Sequence, residues 1–331
     1  MPQTLALAVS SSLRIPLWII GISVLVALIA GGVTSIVMAA ANAPDAPSDE
    51  VPQSVLHADT RMGAIELQVR DLPAMREFYG PEGVGLELLN ETDGAVSLGA
   101  NGEELIRLVP ADGEFASPQD AGLYHSAIVF PDGPALAESL ARLAPQYPGL
   151  FQGATDHAVS EAFYFGDPEG NGVELYIDTP REDWVWENGR VQMGSESLDP
   201  NAFIQEHLGD RTDGDATMGH VHLKVGNVGQ AREFYVDTLG FAVTAEVNGA
   251  IFMSAGGYHH HLAANTWGSA GAGARPAGLG LGSFEVLVPA ASELDGVVTR
   301  LQDAGLPFEQ TDAGLTVADP WGNQVHFSVA D

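Results

Sequence analysis

The chain contains no cysteine, so disulfides, thiolate metal sites and cysteine nucleophiles are excluded from the outset. Basic residues are also scarce. Only 13 Lys plus Arg stand against 44 Asp plus Glu, for a formal net charge of -31, and Lys224 is the single lysine. A field of that sign repels nucleic acid and anionic membrane surfaces, so nucleic acid is not an expected partner. The acidity itself reads as a heavily hydrated surface suited to a salt-rich medium. Two common catalytic signatures are missing as well: a glycine-rich loop leading into a helix with a phosphate-binding Lys, and a GxSxG elbow presenting a serine. Any metal must therefore sit on histidine and carboxylate.

What is present begins with an uncharged run, IPLWIIGISVLVALIAGGVTSIVMAAA, from Ile15 to Ala41. It exceeds the roughly 20 apolar residues that cross a bilayer as a helix. Arg14 precedes it, and Asp45, Asp49 and Glu50 follow. The expectation is one uncleaved N-terminal membrane helix with the globular part outside the cytoplasm. Two alternatives stay open. A signal segment cut near Ala39 to Ala43 would give a secreted protein, and a start at Met38 or Met62 would give a cytoplasmic one. Residues 42–60, rich in Pro, Ala and Asp and without apolar period, read as a flexible linker.

From there the chain repeats one plan four times, and a repeat of this length decides the fold. The first unit opens GAIELQV (Gly63 to Val69) and continues RDLPAMREFY. The second spans Gly122 to Asp178: a strand with His125, a helical run whose Leu136, Leu140 and Leu143 share a face, strands around Ala158 to Phe165, and a last strand with Glu174. The third opens GHVHLKV (Gly219 to Val225), runs through QAREFYVDTLGF and ends GGYHHHLAANTW. The fourth opens GLGSFEVLVP (Gly280 to Pro289), parallel to GLYHSAIVFP, and closes DPWGNQVHF, parallel to DPEGNGVEL. The Asp-Pro-x-Gly-Asn turns are fold punctuation. The reading is α+β: four βαβββ modules, two in residues 61–180 and two in 218–331, with an ordered connection at 181–217 carrying a short helix near Asn201 to His207.

On these strings the chain resembles the vicinal oxygen chelate superfamily, which includes glyoxalase I, bleomycin-resistance proteins and extradiol dioxygenases. GLYHSAIVFP, DHAVSEAFYFGDPEGNGVELY, GHVHLKV and GGYHHHLAANTW are similar to segments of its two-domain catechol 2,3-dioxygenases. The resemblance covers about Met62 to Val329. It implies two vicinal-oxygen-chelate domains, and a metal held by first and last strands of two paired modules.

Under that resemblance the second module offers His125 and Glu174, and the third offers His220 and, on its last strand, His261. The first offers Ala64 and Arg107, the fourth Ser283 and His326. If modules pair as neighbours within each half, the first pair supplies only His125 and Glu174, and the second pair supplies His220, His261 and His326 without a carboxylate. Ligand economy favours pairing the second module with the third, which collects His125, Glu174 and His220 around one cavity, with His261 as an accessory ligand or supporting partner. Two imidazoles and a carboxylate form the facial triad of non-haem Fe(II) oxygenases. His222, on the same strand face as His220, is the alternative ligand. In the His259 to His261 run, alternation points His260 away from what His259 and His261 address. His326 reads as a remnant, and Glu66 and Glu285 as structural. By resemblance His157 and Tyr164 occupy the extradiol positions for an acid or base and for a hydroxyl that holds the substrate oxygen.

The expected activity is extradiol cleavage of a catechol with Fe(II) and O2, both oxygen atoms entering the product. The alternatives are a glyoxalase-like isomerase or lyase using Mn, Ni or Zn, and a non-catalytic binding module.

Overall fold

Short capping signals set the helices. In the computed structural model, which describes residues 50–209, 215–275 and 278–330, Asp71, Asp132 and Asp199 each accept a hydrogen bond from a backbone N–H of the helix that follows. A Pro sits in the first turn of all three helices, where its missing N–H costs nothing. The first module runs β1 (Arg61–Val69), α1 (Leu72–Tyr79), β2 (Glu87–Thr92), β3 (Ala95–Ala100) and β4 (Glu103–Pro110). The second runs β5 (Gly122–Val129), α2 (Gly133–Gln146), β6 (Phe151–Asp156), β7 (Ser160–Gly166) and β8 (Gly172–Asp178). Short strands β9 (Trp186–Glu187), β10 (Arg190–Val191) and β11 (Glu196–Ser197) and helix α3 (Pro200–His207) make the connection.

The third module follows as β12 (Thr217–Lys224), α4 (Val228–Ala231) continuing into a π-helical turn (Arg232–Thr238), β13 (Ala242–Val247), β14 (Ala250–Ser254) and β15 (Leu262–Asn265). The fourth is β16 (Gly280–Val288), α5 (Ala291–Asp303), β17 (Phe308–Thr311), β18 (Gly314–Ala318) and β19 (Gln324–Val329).

The modules pair across the halves of the sequence. One sheet has the order β17-β18-β19-β16-β1-β4-β3-β2, the fourth module beside the first; the other is β11-β6-β7-β8-β5-β12-β15-β14-β13, the second beside the third. Both seams join first strands in antiparallel fashion, β1 to β16 and β5 to β12. Residues 61–180 and 218–331, expected as two domains of two modules each, therefore share both sheets. Glycine makes each seam possible. A Cβ at Gly63 would overlap the Glu285 carboxylate, and one at the matching Gly219 would overlap the Tyr176 hydroxyl.

One further difference concerns the N-terminal part. The described portion of the expected linker is docked: Leu56 is buried, and the N–H groups of Val55 and Leu56 both donate to the Gly240 carbonyl. An apolar side chain with two backbone partners explains why composition alone misleads there. The apolar run Ile15 to Ala41 lies outside the described residues. Among those described, no helix is long and apolar enough to cross a membrane.

The repeated sequence motifs explain how odd modules grip even ones. Tyr79 of REFY in α1 donates to Asp167 of DPEGN at 3.0 Å, and Tyr235 of the second REFY donates to Asp319 of DPWGN at 2.8 Å. Each Asp also accepts from the backbone N–H two and four residues on and from the Asn side chain, so all its lone pairs face donors. Tyr79→Phe or Tyr235→Phe should each destabilise the fold by about 2 kcal/mol, since a buried carboxylate loses one donor. Urea unfolding checks this; an unchanged midpoint would show that the tyrosine hydroxyls are dispensable.

Candidate metal centre

The site is a row of register partners on one face of the nine-stranded sheet. His220 on β12 lies opposite Ala127 on β5, Ala127 beside Glu174 on β8, and Glu174 opposite Tyr164 on β7. Paired residues in a sheet project to the same face. His125, two residues before Ala127, projects there too, and the small Ala127 side chain leaves the space over which its neighbours converge.

The resulting geometry is tight. His125 Nε2 lies 3.0 Å and His220 Nε2 3.2 Å from the same Glu174 Oε2, and the two imidazole nitrogens are 3.2 Å apart. All three residues are buried. Donors on one face of an ion with bonds of roughly 2.1 Å stand about 3 Å apart, so this donor set fits a divalent metal ion, and the group could hold one. Burial pushes the His220 imidazole down to about 4, leaving it neutral at physiological pH. Burial acts to raise the Glu174 carboxyl, but His220 and His125 facing it hold it well below the ordinary carboxylate range. Nδ1 of His220 is buried without a hydrogen-bond partner. Packing therefore orients the ring, with the His260 ring centroid 4.1 Å and the Tyr176 centroid 5.2 Å away.

A cavity of about 570 Å³ opens beside the triad and is lined by His125, Glu174, His157, Tyr164, His222 and His260 among others. His157 Nδ1 lies 2.8 Å from the Gly194 carbonyl, which can only accept, so Nδ1 carries the proton. In the neutral ring Nε2 is then the acceptor, and Tyr164 donates to it at 2.8 Å. Burial, followed by the nearby Glu174 carboxylate, raises the Tyr164 phenol well above its ordinary value and keeps it protonated.

His222 is buried beside the triad but holds a different partner, the Asn265 side chain at 2.9 Å from Nε2. Trp267 N–H donates to Asn265 Oδ1, which turns the amide nitrogen toward His222 and makes Nε2 an acceptor. His261 lies outside the three-residue group: its Nδ1 accepts from Ala255 N–H at 3.2 Å and its ring stacks on Tyr258. Instead His260, expected to point away, lines the cavity. A chain of contacts fixes its tautomer. His259 Nε2 donates to Asp178 at 2.9 Å, which in the neutral ring leaves His259 Nδ1 to accept from His260 Nδ1 at 2.7 Å. His260 Nε2 is thereby an acceptor. Residues 258–261 precede β15 as irregular backbone, so strand alternation does not govern them. Its place in a run of three histidines is the only sequence signal for His260.

The family model of the Glyoxalase/Bleomycin resistance protein/Dioxygenase superfamily matches residues 217–327. The chain is 36% identical over 275 residues to catechol-2,3-dioxygenase of Bacillus subtilis (strain 168), covering 80% of this chain and 95% of that protein. It is 30% identical over 142 residues to biphenyl-2,3-diol 1,2-dioxygenase 3 of Rhodococcus globerulus, 39% of this chain and 70% of the relative. Among solved structures, a putative dioxygenase from Bacillus subtilis superposes with a TM-score of 0.54 at 13% identity, covering 81% of this chain and 84% of that one. Glyoxalase I from Zea mays gives 0.51 at 17% identity, covering 82% and 92%. At these identities the two structures show the shared fold alone.

An ion that binds the folded triad and not the unfolded chain raises stability by about 2.7 kcal/mol at a hundredfold excess over Kd. Adding Mn(II) or Fe(II) should raise the melting temperature of the protein, and Glu174→Ala or His125→Ala should abolish the rise. A rise that survives both substitutions would place the ion elsewhere.

Proposed function

The chain belongs to the glyoxalase/bleomycin resistance protein/dioxygenase superfamily, and from that premise we propose that it is an extradiol dioxygenase that cleaves catechol-type diols with O2. The observation that carries the reading is the buried cluster of His125, Glu174 and His220, with ligand atoms 3.0 to 3.2 Å apart, of which His125 and Glu174 line a cavity that also holds Tyr164 and His157. The similarity to the catechol-2,3-dioxygenase over most of both chains supports the substrate class.

His125, His220 and Glu174 would hold Fe(II), which supplies a Lewis-acidic, redox-active centre where diol and O2 can react. Imidazoles bind a metal in their neutral form, so with Glu174 as the one carboxylate the ligand set would carry a single negative charge, leaving room for an ionised diol oxygen to balance a divalent cation. The chain's own groups handle the protons. Tyr164 donates its hydroxyl hydrogen to His157 Nε2, so its oxygen has lone pairs free to accept from a substrate hydroxyl. A proton can pass from the diol to the Tyr164 oxygen while the tyrosine proton passes to His157 Nε2. Gly194, bonded to His157 Nδ1, fixes the ring in the tautomer that can receive it. On the other side His260 presents a second acceptor nitrogen, set by His259 and Asp178. Walls of buried strands exclude bulk water from the floor of the site, which strengthens each of these hydrogen bonds.

Aerobic, Fe(II)-loaded protein should turn catechol into a yellow ring-opened product while consuming oxygen in step with it. Tyr164→Phe and His157→Ala should each lower kcat by on the order of 10²-fold, the usual worth of a positioned proton-transfer group, with iron content unchanged. Turnover that proceeds equally well without oxygen would overturn the reading in favour of an isomerase or lyase.

A further inference from the structure

The cavity is too large for a bare catechol ring. At about 570 Å³ it falls within the roughly 300–1,000 Å³ of pockets that enclose drug-sized ligands. Its outer part is apolar and aromatic. Tyr124 and Trp267 stand edge to face with centroids 5.9 Å apart, and the His222 ring behind them is 4.9 Å from Tyr124 and 5.8 Å from both Trp267 and Phe252. Tyr124, Trp267 and Val247 line this cavity, yet they are 41%, 44% and 53% exposed. Large apolar side chains gathered around one opening are what a bound apolar group would cover. The wall is also held in place: Trp267 N–H donates to Asn265 Oδ1 at 2.9 Å and its indole N–H to the Asn248 carbonyl at 3.2 Å.

Charge points the same way. Among the described residues that line the cavity there is no Lys or Arg, and Glu174 is the single carboxylate. The charge of a divalent ion held there would be balanced by Glu174 and an ionised diol oxygen. A substrate carboxylate would lose its water without meeting a cation, at substantial cost. The surrounding chain, at a net charge of -31, adds repulsion during approach.

We infer that the physiological substrate is a catechol bearing an uncharged, apolar substituent, which lies along the wall formed by Tyr124, Trp267 and Phe252, and that carboxylated catechols are rejected. This inference rests on the dioxygenase reading for the reaction, but not for the binding preference.

The test compares catechol, 3-phenylcatechol and 2,3-dihydroxybenzoate, by kcat/KM with the Fe(II)-loaded full chain and by calorimetric binding to the metal-free protein. The phenyl compound should exceed catechol by about tenfold or more, and the carboxylate should fall below catechol by about a hundredfold. Trp267→Ala should lower the phenyl-to-catechol ratio by roughly tenfold, the effect expected for losing a large apolar contact. Val247→Lys, at an exposed position, should narrow the gap between carboxylate and catechol by a similar factor. Equal use of the carboxylated and unsubstituted compounds by the unaltered protein, or ratios that neither substitution moves, would overturn the inference. If no diol is cleaved while the metal-free protein still binds the phenyl compound best, the dioxygenase reading fails and the binding preference stands.

Discussion

Everything at the centre depends on one antiparallel seam, β5 against β12. His125 and His220 are 95 residues apart in sequence, and only the pairing of these two first strands brings their Nε2 atoms to 3.2 Å. Side chains alternate with period 2, so a one-residue slip of either strand would send its histidine to the opposite face. The register is pinned from both sides. Gly219 admits the Tyr176 hydroxyl at the start of β12, and β8 runs parallel to β5 with Glu174 beside Ala127. Connections tie the pairing down further, because REFY of the first module grips DPEGN of the second and REFY of the third grips DPWGN of the fourth. The first and second modules thus lie in different sheets but are joined by a buried tyrosine–aspartate bond.

The other seam shows what the same plan gives without the chemistry. The row His220, Ala127, Glu174, Tyr164 has its counterpart in Ala64, Glu285, His326, Thr316, where Glu285 lies beside His326 and His326 opposite Thr316. Several exchanges remove the site: Ser283 stands where His125 does and His326 where Glu174 does. Alanine replaces the β12 histidine, and a glutamate replaces the small Ala127, so a carboxylate fills the space over which ligands would converge. That carboxylate is fully engaged, accepting from Ala64 N–H at 3.3 Å and from Ser328 Oγ at 2.6 Å, while His326 is bonded to Thr316 at 3.0 Å. One copy of a duplicated sheet keeps an open polar centre; its twin ties Glu285 and His326 to neighbours.

Much of this was legible in the residues themselves. Repeats such as GHVHLKV against GAIELQV and DPWGNQVHF against DPEGNGVEL carry the four-module plan, because each module needs the same glycine, turn and strand period. His125, Glu174 and His220 were legible because they lie on regular strands, where alternation fixes direction. His260 and His261 were misread for the complementary reason. The backbone from Tyr258 to His261 is irregular, so the rule that predicts side-chain direction on a strand had no strand to act on. The docked segment around Leu56 was hidden by its composition, since a single buried leucine in a Pro- and Asp-rich stretch leaves no periodic trace. Cavity width and the aromatic wall were not legible at all, because they are set by Tyr124, Trp267 and Phe252 arriving from separate strands and loops.

The acidity of the chain and the charge of its centre act on different length scales. Surface charges are screened within about 8 Å at physiological ionic strength, and within about 3 Å at 1 M salt. In a salt-rich medium the field of the whole molecule therefore reaches the cavity floor only weakly. Glu174, buried in the site and in contact with both imidazoles, is not screened in this way. Affinity for a cation is then set by three side chains and is insulated from the surface, which can remain acidic for solubility without altering the ligand set. The same separation of scales governs the diol: the surface influences how often a charged molecule approaches, whereas the apolar wall and the single carboxylate that lines the cavity decide whether it can stay.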